Sequence, residues 1–213
     1  MTTALLQTTY FGPIQWYQKL YRHERTLIEQ HDTYQKQTYR NRCVIATANG
    51  LQALTVPVEA RNNANEAMSE KCLVKDIRIS DHNQWRRVHW NALQSAYSES
   101  PFFDYYADDL RPFFEKRYEF LIDFNEAIRQ KVCELIDIHP SVEYTEEYIS
   151  AIDPQTSDIV DYREVIHAKH PQPDKDFVPR RYWQVFERKH GFQPNLSILD
   201  LLFNMGTESV FYL

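Results

Sequence analysis

The sequence predicts an α/β fold, with α+β as the neighbouring class: a mixed sheet with a strand-helix-strand opening and a β-hairpin, packed by long helices. Three observations lead there. Residues 5–30 read as strand, sharp turn, helix and strand, the opening of an α/β unit. Residues 43–56 read as a hairpin, because Asn49-Gly50 tolerates the positive φ of a tight turn between alternating runs. Apolar residues then recur at helical spacing over 85–97 and 107–136.

Taken in order, residues 5–11 are apolar and β-branched, and Gly12-Pro13 breaks them. Pro13 suits a first helical turn, and Ile14, Trp16-Tyr17 and Leu20-Tyr21 follow on one stripe. Residues 26–30 form the second strand. In such units ligands bind at the carboxyl ends of the strands, which places Thr9, Tyr10 and residues 29–32 at one edge. After the hairpin, residues 59–71 are a polar loop and residues 74–79 another strand. Asp81-His82-Asn83 opens the helix carrying Trp85, Val88-His89, Ala92-Leu93 and Ala96-Tyr97, and Ser100-Pro101 stops it. A single long helix spans 107–136, with Pro112 near its first turn. His139-Pro140 ends it, and 141–149 is strand-like. Residues 151–179 form a long surface excursion, lid-like, around a short segment at 159–166. A helix at 182–190 ends at Gly191, and Asn195 caps a last helix over 196–204 that Gly206 stops. The expected organisation is a main domain over 1–140 and a C-terminal extension over 141–213 packed on the same core.

The chain has 213 residues, enough to bury a substantial core. Four glycines, with no GxGxxG and no GxxxxGK[ST], exclude the Rossmann fingerprint and the P-loop. A net charge of −6 argues against a nucleic-acid partner. No run approaches a membrane span. Cys43, Cys72 and Cys133 are odd in number and match no zinc spacing, so with no signal peptide the expected setting is cytoplasmic with reduced thiols. Aromatics reach 14%, which fits an aromatic core before it fits a stacking surface for a sugar or base. No motif names a cofactor or a metal: Glu29, His31 and Asp32 are close in sequence but match no strong ligand spacing.

Two groups of residues carry candidate chemistry. Lys36, Arg40 and Arg42 are three cations within seven residues; in an extended segment they share one face, with Asn41 on the other. Such a face suits a carboxylate or phosphate, or else protects an exposed edge. His89 lies between Trp85 and Trp90, and imidazole can take and return a proton near neutral pH. A half-buried structural histidine is the alternative.

Several stretches together resemble the WbqC-like family of bacterial proteins: Tyr10-Phe11-Gly12-Pro13-Ile14-Gln15-Trp16-Tyr17, residues 29–43, Trp85-Arg86-Arg87-Val88-His89-Trp90, Tyr97 with Ser100-Pro101-Phe102-Phe103, and His190-Gly191-Phe192-Gln193-Pro194-Asn195-Leu196-Ser197. The likeness is weakest over 151–179. Some members are associated with surface-polysaccharide (O-antigen) gene clusters. The resemblance therefore implies a role in making or decorating a sugar, as an acyl- or aminoacyl-type transferase acting on a small anionic or sugar-linked substrate. Its matching positions are Lys36, Arg40, Asn41, Arg42, His89, Trp90 and Tyr97. In the enzyme reading the cations hold the substrate anion, His89 is the general base, Tyr97 orients the acceptor and Trp90 stacks on the sugar. In the alternative reading the protein binds an anionic ligand or partner without catalysis, and His89 is structural.

Overall fold

A computed structural model describes residues 2–59, 72–150, 152 and 157–213. In chain order the regular elements are β1 (Thr3–Gln7), α1 (Ile14–Arg22), β2 (Arg25–Glu29), β3 (Arg42–Thr47), β4 (Gly50–Thr55), α2 (Trp85–Tyr97), α3 (Phe103–Leu110), α4 (Leu121–Leu135), β5 (Val142–Tyr144), β6 (Ile159–Asp161), α5 (Glu187–His190) and α6 (Ile198–Met205). The fold is α/β. A four-stranded sheet runs in the order β5-β2-β1-β6 with every pairing parallel, and β3 and β4 form a separate antiparallel hairpin.

The first strand is central because its side chains are apolar on both faces, as a covered parallel strand requires. Leu5 pairs with Leu27 and Leu6 with Ile28, all four buried. The turn into α1 is tight. Phe11 takes a positive φ of 41°, and a Cβ on Gly12 would lie 2.4 Å from Thr9 Oγ1, so only glycine fits there. Pro13 enters with φ −67°, which suits the first turn. Trp16 Nε1 then donates to the Gln7 carbonyl at 2.8 Å and ties the helix back onto the strand.

The hairpin is joined to the C-terminal segment rather than to the parallel sheet. Ser197 N donates to the Val44 carbonyl at 2.9 Å, and Ser197 Oγ donates to the Phe11 carbonyl at 2.8 Å. Ser197 also caps α6, its Oγ accepting from Leu199 N at 3.3 Å. Leu199, Leu201, Leu202 and Phe203 are fully buried, so α6 is a core helix on all sides.

Several local expectations give way to tertiary structure. Residues 74–79 are not a strand: Val74–Asp76 is a 3₁₀ turn, and Arg78 and Ile79 make only isolated bridges. The expected helix over 107–136 is two helices, α3 and α4, separated by a 3₁₀ turn at Arg111–Phe114 and an extended Phe120. Pro112 lacks the N–H that a continuous helix needs, and the turn buries Phe113 and Phe114 in the core. Residues 182–190 keep one helical turn, α5, because Tyr182 and Gln184 are drawn inward to Asp200. Asn195 does not cap α6; with φ 55° it accepts from Gln15 N at 2.9 Å instead. The segment around 159–166 is not an excursion from the core, because β6 pairs in parallel with β1. The expected loop at 59–71 lies outside the described residues from 60 onward.

Asp200 locks three elements together. Its Oδ1 accepts from Tyr97 OH at 2.8 Å, and its Oδ2 accepts from Tyr182 OH at 2.6 Å and Gln184 Nε2 at 3.0 Å. Burial raises the pKa of this carboxyl, against the pull of those donors. Tyr97→Phe is therefore expected to destabilise the protein by about 1–3 kcal/mol. Urea unfolding checks this, with the half-exposed Tyr21→Phe as a control expected to change little. An unchanged Tyr97→Phe stability would contradict the assignment of Tyr97 to this network.

Candidate functional site

The residues singled out in the sequence fall in different environments. Arg40 is 1% exposed and paired with Asp32, and its carbonyl accepts from Asn125 Nδ2 at 2.8 Å. Burial lowers its pKa and the Asp32 carboxylate opposes that. Asn41 is buried, with Nδ2 donating to the Val56 carbonyl at 2.8 Å. Arg42 is half-buried, with Nε donating to Thr55 Oγ1 at 3.2 Å, and Lys36 is exposed in a turn. The shared cationic face does not form, because residues 30–41 run through turns and bends instead of one extended strand. Trp90 packs against Phe103 and Phe114 with ring centroids 6.0 and 5.4 Å away. The phenol of Tyr97 is committed to Asp200, and burial first, then that carboxyl, push its pKa well up.

His89 is 4% exposed and its Nδ1 lies 2.9 Å from the buried Tyr10 hydroxyl. Burial pulls its pKa down to about 4, partly offset by a hydrogen bond to the Thr55 backbone. At neutral pH it is an uncharged core imidazole. Its neighbours are Trp85 and Tyr10, with ring centroids at 5.2 and 5.8 Å.

The sheet's carboxyl edge carries a polar constellation that the sequence reading passed over. Beneath α4, at the ends of β2 and β5, lies an open cavity of about 360 Å³ lined by Gln30, Ile122, Asp123, Glu126, Ala127, Gln130 and Tyr144. Its volume falls within the range of small-molecule pockets, about 300–1,000 Å³. Glu126 is the hub. It accepts from Tyr144 OH at 2.9 Å, Gln130 Nε2 at 2.7 Å and Arg129 Nε at 2.8 Å. Burial opposes the charge on Glu126, but the Arg129 pair and the other donors outweigh it and hold the carboxyl below its usual pKa. Burial and the Glu126 carboxylate push the Tyr144 phenol up, so it stays a donor. Arg129 gains more from Glu126 than it loses to burial, and its pKa rises. The cavity thus presents hydrogen-bonded acceptors and donors, and the shifts of Glu126 and Tyr144 lead both away from neutral pH.

A second cavity of about 210 Å³ lies between the hairpin turn and α5, walled by Ala46, Leu51, Phe186, His190 and the interlocked Gln184 and Gln193. Lys36, Arg40, Asn41, Arg42, His89, Trp90 and Tyr97 line neither cavity. Among the described residues no cluster of three or more His, Cys, Asp or Glu side chains could hold a metal. No helix among them is long and apolar enough to cross a membrane. The signal for the α4 site was present in the sequence as Asp123, Glu126 and Gln130, spaced three and four apart and so on one helix face.

The model of the WbqC-like protein family matches residues 7–172, more than three-quarters of the chain, including β2, β5 and β6 of the parallel sheet but only the last residue of β1. The chain belongs to the WbqC-like protein family. A relative, "Uncharacterized protein Rv1507c" of Mycobacterium tuberculosis (strain ATCC 25618 / H37Rv), is 31% identical and covers 84% of this chain and 83% of its own length. No solved structure matches the chain. Every wall residue of the α4 cavity lies inside the family match, whereas α5, α6 and the Gln184 and His190 side of the second cavity lie beyond it.

The buried state of His89 has a pH signature. Its folded value of about 4 lies below the ordinary 6.5, so the unfolded chain takes up a proton that the native state refuses. The contribution is present above pH 6.5 and is lost as pH falls toward 4, by about 3 kcal/mol in full. Urea unfolding at pH 7 and pH 4.5 is expected to show the wild type losing about 2–3 kcal/mol more than His89→Gln. Equal losses would contradict a buried neutral His89.

Proposed function

We propose that this WbqC-like protein holds a hydroxyl-rich small molecule, a sugar or the sugar part of an activated precursor, in the cavity beneath α4, and that it serves surface-polysaccharide assembly. The observation that carries the reading is the Glu126, Arg129, Gln130 and Tyr144 constellation at the carboxyl ends of β2 and β5. Carboxylates and side-chain amides accept and donate at the spacing of vicinal hydroxyls, and a tyrosine ring gives an apolar surface beside them. Asp123 and Glu126 make the cavity acceptor-rich, which favours hydroxyl donors over phosphate oxygens within it. The charged part of an activated sugar would therefore lie outside this cavity. The polysaccharide setting comes from the family resemblance.

Two forms of this reading differ in whether chemistry follows binding. In the transferase form, an acyl or aminoacyl group passes to a hydroxyl of the bound sugar and a base takes its proton. The non-catalytic form is favoured by the electrostatics. Glu126 has a lowered pKa and is a weak base, and His89 is enclosed in the core away from the cavity.

Thermal-shift titration with methyl glycosides of glucose, galactose, N-acetylglucosamine and rhamnose tests the site. A ligand of the native state raises the melting temperature, by the equivalent of about 2.7 kcal/mol at one hundred times Kd. At least one glycoside is expected to give a saturable rise, reduced in Asp123→Ala and Gln130→Ala, whose exposed side chains leave folding intact. No rise with any glycoside, or a rise that both variants keep in full, would overturn the reading.

A further inference from the structure

Behind the α4 cavity lies a second, much smaller space of about 10 Å³, room for about one water molecule or one hydroxyl group. Its walls include Thr8, Thr9, Asn125, Glu126, Arg129 and Tyr144. Glu126 and Tyr144 also wall the larger cavity, so the two spaces adjoin across the Tyr144–Glu126 hydrogen bond, which a ligand group must displace to enter the smaller one.

The chamber has a defined polarity. Asn125 is 1% exposed, and its Nδ2 donates to the Arg40 carbonyl. That bond fixes which way the amide is turned, because an amide oxygen in the same place would face another acceptor. Asn125 Oδ1 is left buried with no hydrogen-bond partner among the described residues. A buried amide oxygen of this kind needs a donor. Arg129 supplies none, because its Nε and Nη2 are held by Glu126 and its Nη1 lies 4.0 Å from Cys133 Sγ.

These facts discriminate among ligand groups. A carboxylate or phosphate can accept from Thr9 Oγ1, which is also buried without a partner among the described residues, but it offers only acceptors to Asn125 Oδ1. An ammonium offers donors, but Glu126 is already paired with Arg129, so it would add a buried cation with no counter-ion of its own. A neutral hydroxyl donates to Oδ1 and carries no charge. We propose that the chamber is the subsite for one neutral hydroxyl of the bound molecule, seated on Asn125 Oδ1, and that it selects neutral sugars over uronic acids and amino sugars at that position. The proposal rests on the reading of the larger cavity as a sugar site.

Isothermal titration of the full chain tests it. The probes are the tightest-binding methyl glycoside of the panel, its monodeoxy derivatives, and the derivatives with a carboxylate or amine at the same carbons. One monodeoxy derivative is expected to bind about tenfold more weakly than its parent, and the charged groups at that carbon more weakly still. In Asn125→Ala the parent is expected to fall to the level of that derivative, and the two no longer differ. A flat monodeoxy series in the wild type overturns the subsite without any variant. So does a deoxy penalty that persists in full in Asn125→Ala. Binding with a flat series overturns the subsite alone, whereas no binding by any glycoside overturns the sugar reading and the subsite with it.

Discussion

The arrangement of the carboxyl edge depends on the side chain of Glu29, the last residue of β2. It is 1% exposed and collects donors from three other parts of the chain. Its Oε1 accepts from His31 N at 2.8 Å and Thr145 Oγ1 at 2.9 Å, and its Oε2 accepts from Ile149 N at 3.0 Å and Arg163 Nη1 at 3.4 Å. Thr145 follows β5 and Arg163 follows β6, so one side chain gathers the loops after three of the four parallel strands. Arg163 extends the network, donating to the Ile149 carbonyl at 2.8 Å and pairing with Asp161 at 2.6 Å. A buried carboxyl is tolerated only when its oxygens are satisfied in this way. Removing it would leave four donors, one of them on the Arg163 cation, without this acceptor at the edge where the sheet meets the α4 cavity.

That edge explains why the polar chemistry of the chain lies where it does. The sheet's centre is apolar at Leu5, Leu6, Leu27 and Ile28, whereas the residues that follow β1, β2 and β5 are Thr8, Thr9, Gln30 and Thr145. The helix at that edge, α4, buries Phe124, Ile128 and Val132 and turns Asp123, Glu126 and Gln130 toward the cavity. Glu126 and Arg129 sit three apart on one helix, a spacing usually seen as a solvated surface pair worth little. Here both are more than three-quarters buried and further held by Tyr144 and Gln130, so the pair forms part of the cavity wall rather than a solvated surface pair. Rigid, oppositely charged groups with opposed pKa shifts suit recognition better than proton transfer.

The sequence was most readable where one local rule decides the outcome. Asn49-Gly50 between alternating residues placed the hairpin, and Gly12-Pro13 placed the strand-to-helix turn. It misled where tertiary packing outweighs periodicity. The apolar spacing across 107–136 continues through Pro112, yet the chain breaks there because Phe113 and Phe114 gain more by entering the core. Ile159–Asp161 is only three residues long, too short for any pattern, and becomes a strand through its pairing with β1. The candidate site was harder still. Lys36, Arg40 and Arg42 looked like a group in one dimension, but Asp32 draws Arg40 inward and separates it from the others. The α4 residues belong together only because β2 and β5 end beneath that helix. Nothing local in the sequence places Tyr144 against Glu126, eighteen residues away.

The most direct measurement is a crystal structure of the protein soaked with its tightest-binding methyl glycoside. The account predicts density for the sugar beneath α4, in contact with Glu126, Gln130 and Tyr144, with one hydroxyl directed at Asn125. A sugar bound instead beside the hairpin turn and His190, or against Lys36 and Arg42, would contradict the assignment of the carboxyl edge as the binding site.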